Sequence, residues 1–337
     1  MSDAPVLESV TIVPTAAKFD RYRWCDYIEL RCLTHVDRRF SRDGLAESIG
    51  ESKDVCESDD LSIDSEGEPQ LGDGQLAGLA KEEDDESFAA ACFKHLRWRS
   101  KLFGEGWPFT IDEHAQEIRI KPNCDSAHYF YLHLLLSSLL KYCPPTRRKI
   151  YTGSFEEISL SVFRCLMPQG AEVHAFGATH STRYKGHLFE RLEKLTADIR
   201  GKLLLTKQDF PKNNSGDGGL DLVAWHDLKD ERDHIPIAFA QCGCTVEGWP
   251  DKMLEASPAK LSKKLVTGHD WATYYFMPLD LTDERDGAMS WQRRSDVNCA
   301  IVIDRLRLCR LTDHLVPSNA ALVAKAEIDE ALSMKLT

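Results

Sequence analysis

Gly216-Asp217-Gly218-Gly219-Leu220-Asp221-Leu222-Val223-Ala224-Trp225 is the stretch on which the reading of this chain turns. Glycines supply a tight turn at low steric cost, and the apolar run that follows reads as a strand. Its first polar side chain is Asp221. Ten residues beyond Trp225 a second apolar run begins, Ile235-Pro236-Ile237-Ala238-Phe239-Ala240-Gln241-Cys242, and it ends in another oxygen donor, Gln241. Two strands that each deliver an oxygen ligand suit a hard divalent ion held against a phosphodiester. Two other readings of the turn fail. A phosphate loop needs a Lys-Ser/Thr pair and a following helix; an EF-hand loop needs alternating oxygen ligands and a closing glutamate. Asp217 reads as a turn former.

Outward from this stretch, residues 185–304 read as helix, strand, strand, strand, helix, strand, which is an α/β core with a mixed sheet flanked by helices. The entry helix is expected from Leu188 to Arg200, ending at Gly201, with a strand over Lys202–Thr206. Trp249-Pro250 and Ser257-Pro258 open short helices, proline fitting the first helical turn. Trp271–Met277 and Asn298–Ile303 read as strands around a charged loop, Asp283–Arg294, and Ala320–Met334 as a terminal helix. Upstream, an extended start (Val10–Val13) precedes a mainly helical region: Phe19–Thr34, Ser41–Ile49 capped by Ser41, Phe88–Leu102, and Ala127–Tyr142 stopped by Pro144-Pro145. A small hairpin (Phe109–Ile111, Glu117–Ile120) interrupts them. Gly153-Ser154 is expected to open a further helix with Ser154 as its cap, followed by a strand over Ala171–Phe176. The expected organisation is a helical module over 1–50, an acidic disordered or variable linker over 51–87, a helical region over 88–150 and an α/β domain over 151–337.

The charge is uneven. The chain has 337 residues and a net charge of −12, and Glu51–Ser87 alone carries 14 acids and two lysines. The remainder therefore balances at 40 acids and 40 bases. The acidity belongs to one segment poor in aromatics, and leaves room for a nucleic-acid site elsewhere. Lys94, Arg97, Arg99 and Lys101 read as a solvated basic face. The longest apolar helix, Tyr129–Leu140, is 12 residues long and includes His133, too short for a membrane span. With no basic-plus-apolar leader at Met1, the expected location is cytoplasmic. Eleven cysteines without a CxxC pair read as reduced thiols rather than zinc ligands.

The helix, the Gly-Asp-Gly-Gly-Leu-Asp-Leu-Val turn and the apolar strand ending in Gln-Cys resemble the PD-(D/E)XK, or restriction-endonuclease-like, nuclease superfamily, in the style of its Mrr-like and bacterial defence members. The resemblance covers residues 185–304. It places Asp221 on the family's second-strand aspartate and Gln241 on the residue that opens the third-strand (D/E/Q)xK element. It implies Mg²⁺ or Mn²⁺ bound by Asp221, the Gln241 side-chain oxygen and the Cys242 backbone carbonyl, with DNA as partner and no membrane. It also implies Mg²⁺-dependent cleavage of DNA in defence against foreign DNA; the sequence itself leaves DNA and RNA open as alternative substrates. The sequence departs from the pattern at Gly243, where the family has lysine; Lys252, in the next helix, is the substitute. The entry helix supplies an acid, with Glu190 favoured over Glu193 and over Glu157 on the earlier helix. The alternative is a catalytically silent nuclease fold that binds DNA or a partner, as a homo-oligomer or as a subunit of a defence system.

Overall fold

The computed structural model describes residues 6–14, 20–58, 73–177, 181–210, 218–315 and 325–336. The expectation for Asp217 and much of the acidic linker, residues 59–72, lie outside the described residues.

The helical region is built from α1 (Arg21–Thr34), α2 (Arg42–Ser58), α3 (Asp73–Phe103) and α4 (Ser126–Ser138). A three-stranded antiparallel sheet, in the order β1 (Arg39–Ser41), β3 (Glu117–Ile120), β2 (Phe109–Asp112), packs beside them. The hairpin is as the alternating pattern predicts; β1 joins it because Phe40 can bury its ring while its neighbours stay out. Ser41 Oγ accepts the Gly44 N–H at 3.0 Å, the capping interaction expected from the sequence. Asp125 caps α4 reciprocally with His128. The linker boundaries need correction: α2 runs to Ser58 and α3 starts at Asp73, so helix covers both flanks of the segment expected to be disordered. Val10–Val13 forms no strand.

α5 (Pro145–Leu166) also departs from expectation. Pro145 occupies its first turn, so the proline pair that ends one helix starts the next. Ser154 is not a cap. It lies mid-helix, donating back to the Ile150 carbonyl at 2.8 Å and pairing with His133 Nε2 at 2.6 Å.

The main sheet has five strands in the order β12 (Ile301–Ile303), β9 (Ala272–Phe276), β7 (Ile237–Cys242), β6 (Leu222–Trp225), β4 (Glu172–Ala175). β4 and β7 are antiparallel to β6, whereas β7, β9 and β12 run parallel. This is the mixed α/β sheet anticipated. Its first strand is β4, however, so the helix that enters the sheet is α5, and α6 (Leu188–Asp198) is inserted between β4 and β6. The strand expected over Lys202–Thr206 shrinks to β5 (Lys202–Leu203), paired outside the main sheet with β8 (Leu265–Val266). A side chain on Gly201 would strike the Val266 carbonyl at 2.7 Å, so glycine there permits that pairing. The left-handed position at the end of α6 is taken by Arg200, not Gly201.

Short helices α7 (Trp249–Met253) and α8 (Pro258–Leu261) follow β7 as expected. The charged loop is a hairpin, β10 (Thr282–Arg285) with β11 (Ala288–Trp291). After β12 come α9 (Arg305–Leu315), which the sequence reading lacked, and α10 (Lys325–Ser333).

Strand alternation splits the core. Ala238, Ala240 and Cys242 of β7 face the cluster formed by Phe155, Val162 and Phe163 of α5, while Ile237 and Phe239 face Leu188, Leu192 and Leu195 of α6. α10 belongs to the N-terminal cluster through Ile328 and Ala331, so the last helix closes onto the first. The two halves are further joined by buried charge. Arg305 donates to both Asp26 oxygens at 2.9 and 2.7 Å, and Arg99 pairs with Asp26, Glu29 and Asp280 at 2.8, 3.0 and 2.8 Å. Arg99 thus sits in the interior rather than on the solvated basic face expected of its cluster. Burial alone would raise the Asp26 pKa, yet Arg305 and Arg99 outweigh it and hold that pKa below the ordinary carboxylate value. Burial dominates at Glu29 and raises it.

Candidate functional site

Asp221 immediately precedes Leu222, which pairs with Ala240, so Asp221 and Gln241 meet at one end of adjacent strands. The Asp221 N–H donates to the Ala240 carbonyl at 3.0 Å, and its Oδ2 accepts the Cys242 N–H at 2.7 Å. A charge-assisted bond of this kind fixes the carboxylate's orientation. The lead-in turn is pinned by Lys264 Nζ, which donates to the Gly218 carbonyl at 2.8 Å. Gly218 and Gly219 both hold positive φ, 69° and 92°, and at Gly219 a side chain would press on Glu255 Cβ at 3.1 Å. The glycines therefore serve backbone geometry and close approach.

Gln241 is 4% exposed, and its Oε1 is buried without a hydrogen-bond partner. An orphaned amide oxygen is costly, and in a folded protein it calls for an explanation such as an ion or water. Here the residue stands opposite Asp221, whose carboxylate is fixed, in the β6–β7 register. The pair fits a hard divalent ion, which commonly takes one or two protein oxygens and fills its remaining positions with water and phosphate. Among the described residues, no cluster of three or more His, Cys, Asp or Glu side chains has metal-binding geometry, so the ligand set is sparse. Cys242 contributes its peptide to the site, through the N–H given to Asp221. Its thiol points to the α5 side, and burial raises its pKa, with Asp221 and Glu156 adding to the effect while a contact with Ser159 opposes it.

Gly243 is explained by Tyr275. Gln241 registers with Tyr275 across the parallel β7–β9 pair, and a Cβ on Gly243 would run into the Tyr275 hydroxyl and lie 2.9 Å from its Cζ. The volume a lysine stem would need there is filled by a fully buried tyrosine. Burial raises the Tyr275 pKa, and the negative charges of Asp221 and Glu255 push it the same way. Its hydroxyl, like Gln241 Oε1, lacks a hydrogen-bond partner.

Lys252 lies in α7 and is half-buried. Its charge acts on Cys244: burial raises that thiol's pKa, Glu156 and Asp221 raise it further, and Lys252 lowers it. Glu156 of α5, Asp221 at the start of β6 and Lys252 of α7 thus all act electrostatically on the same buried thiol. Glu156, which the sequence does not single out, is the α5 acid among them. It is three residues from Ser159 and seven from Phe163, on the α5 flank that meets the sheet, whereas Glu157 is exposed on the Ser161 side. That i, i+3, i+7 spacing was the available signal.

Glu190 is a correction. It sits on the inserted helix α6, where its carboxylate accepts the His187 N–H at 3.0 Å and meets Lys207 Nζ at 3.4 Å. The His187 N–H and Lys207 lower its pKa. It is a helix cap, not a member of the Asp221 cluster. Glu193, on the same helix, is exposed.

No family model, curated protein or solved structure matches the chain. Among the described residues, no helix is long and apolar enough to cross a membrane.

Proposed function

We propose that the protein is a metal-dependent nuclease that cleaves DNA phosphodiester bonds, with Asp221 and Gln241 as ion ligands and Lys252 as the basic residue of the site. The observation that carries this reading is the buried, unpartnered Gln241 Oε1 on the residue opposite Asp221, whose carboxylate is oriented. The restriction-endonuclease-like resemblance supports it through the same two residues; the order expected over residues 185–304, with Leu188–Arg200 as entry helix and Lys202–Thr206 as first strand, is replaced by α5, β4, β6, β7, α7 and β9, with α6 inserted and β5 outside the main sheet. With α5 as the entry helix, the helix acid becomes Glu156. Mg²⁺ or Mn²⁺, when bound, supplies charge neutralisation at the phosphate and a water of lowered pKa. Asp221 is held by Cys242 for that task, and Lys252 offers positive charge where negative charge grows on the phosphate. A role in defence against foreign DNA rests on the resemblance alone.

A second reading has its own observation. Tyr275 fills the space of the family lysine, which favours a silent nuclease fold that binds DNA or a partner. Supercoiled plasmid incubated with the full chain and Mg²⁺ or Mn²⁺ separates the two. The nuclease reading predicts nicking or linearisation by wild type and its loss in Asp221→Ala. Cleavage that survives in Asp221→Ala refutes the assigned site. Absence of cleavage by wild type, with DNA still retarded on a gel, selects the binding reading.

A further inference from the structure

A cavity of about 510 Å³ opens next to the Cys244 end of the sheet, between α1, the end of α4, α5 and the segment after β7. Its interior wall is apolar, with Leu139, Val246 and Leu279, and three cations stand around it: Arg23, Lys141 and Arg148. Arg23 meets Glu247 at 3.2 Å, but that carboxylate is 75% exposed and contributes little in water. Among the described residues neither Lys141 nor Arg148 has a carboxylate partner. Arg148 spends only its Nε, on the Cys143 carbonyl at 2.9 Å, and the Lys141 ammonium lies over the Tyr142 ring at 4.6 Å. Burial, with Arg23 close by, pushes the Lys141 pKa down to about 8, against the pull of Glu247. Lys141 and Arg148 are both exposed side chains of the lining, and the charge of Arg23 acts on Lys141.

We infer that this cavity binds an organic phosphate of nucleotide size, the phosphate held by Arg23, Lys141 and Arg148 and the organic part lying against the apolar wall. Of the two carboxylates in the lining, Glu247 and Asp26, Asp26 is already paired with Arg305 and Arg99, so the three cations leave the cavity with an excess of positive charge, which suits a phosphate anion. The volume falls within the range of pockets that enclose small ligands, apolar lining with few placed polar groups being their usual make-up. Arginine's planar fork suits phosphate oxygens. The cavity shares Cys244 with the site described above, so a ligand there touches the segment on which Asp221, Glu156 and Lys252 act. The inference does not depend on the nuclease reading.

Isothermal titration of the full chain in EDTA tests it, with AMP, dTMP, inorganic phosphate and a 5′-phosphorylated DNA 12-mer as probes. One saturable site is expected for at least one of the probes with an organic part, with inorganic phosphate weaker. Lys141→Glu should weaken that binding at least tenfold and Arg148→Gln several-fold. Preference for the mononucleotides identifies a free nucleotide as the ligand; preference for the 12-mer identifies a nucleic-acid terminus. No saturable binding by wild type, or undiminished binding in Lys141→Glu with its fold verified by circular dichroism, overturns the inference.

Discussion

Replacing Gln241 by methionine should make the protein more stable and less responsive to metal. The side chain keeps its length and apolar stem, but the buried Oε1 without a partner is removed. Leaving such an oxygen unsatisfied costs about 1–3 kcal/mol, and this is the stabilisation expected in EDTA. Unfolding entropy of about 2.1 cal/mol/K per residue, taken over 337 residues, gives about 0.7 kcal/mol per degree. The gain therefore corresponds to a rise in Tm of about 1.5–4 °C. Adding Mg²⁺ or Mn²⁺ at tenfold excess over its Kd should stabilise wild type by about 1.4 kcal/mol, or about 2 °C, and Gln241→Met by much less. Differential scanning calorimetry with and without metal reads both effects. If Gln241→Met lowers Tm in EDTA, the amide has a structural task that its geometry conceals. If the metal-induced shift is equal in the two proteins, Gln241 is not a ligand.

Other substitutions probe the surroundings. Gly243→Ala should destabilise by about 1–3 kcal/mol through overpacking against Tyr275, with a coupling energy to Tyr275→Phe of about 1 kcal/mol in a double-mutant cycle read by urea denaturation; additivity would mean the two residues do not compete for space. Arg305→Met should cost about 3–5 kcal/mol, because it strips a buried carboxylate of a partner; a shift in denaturation midpoint worth under 1 kcal/mol would show Asp26 to be adequately held by Arg99. His133 carries a pH signature. Burial lowers its pKa to about 4 from an ordinary value near 6.5, so the unfolded chain takes up the proton first as pH falls. Its contribution is complete above pH 6.5 and declines toward pH 4, by about 3 kcal/mol between pH 7 and pH 4. The stability difference between wild type and His133→Phe should shift by that amount across the window, and a pH-independent difference would refute the assignment.

The placement of the candidate residues was legible where it depended on local pattern and illegible where it depended on topology. Asp221 and Gln241 could be placed because a glycine turn followed by apolar alternation specifies a strand and its first polar residue, and the next apolar run pairs with it. Glu190 could not be judged from sequence: an acid in a helix's first turn looks the same whether it caps that helix or reaches a site. Its assignment followed from taking α6 as the entry helix, when the antiparallel β4–β6 pairing gives that place to α5. The Pro144-Pro145 pair hid the start of α5, since proline stops one helix and begins another with equal ease. Arg99 resembles its exposed neighbours in sequence, and only long-range contact with Asp26, Glu29 and Asp280 shows it to be interior. The absence of lysine at Gly243 was visible; its cause, a tyrosine from β9, was not, because a parallel neighbour arrives from more than 30 residues away.

The central claim, that Asp221 and Gln241 form a divalent-cation site, is tested most directly by Mn²⁺ binding to the full chain followed by electron paramagnetic resonance. The account predicts one bound Mn²⁺ per chain, displaced by Mg²⁺, lost in Asp221→Ala and weakened in Gln241→Met. Failure of wild type to bind Mn²⁺, or unchanged binding in Asp221→Ala, would contradict it.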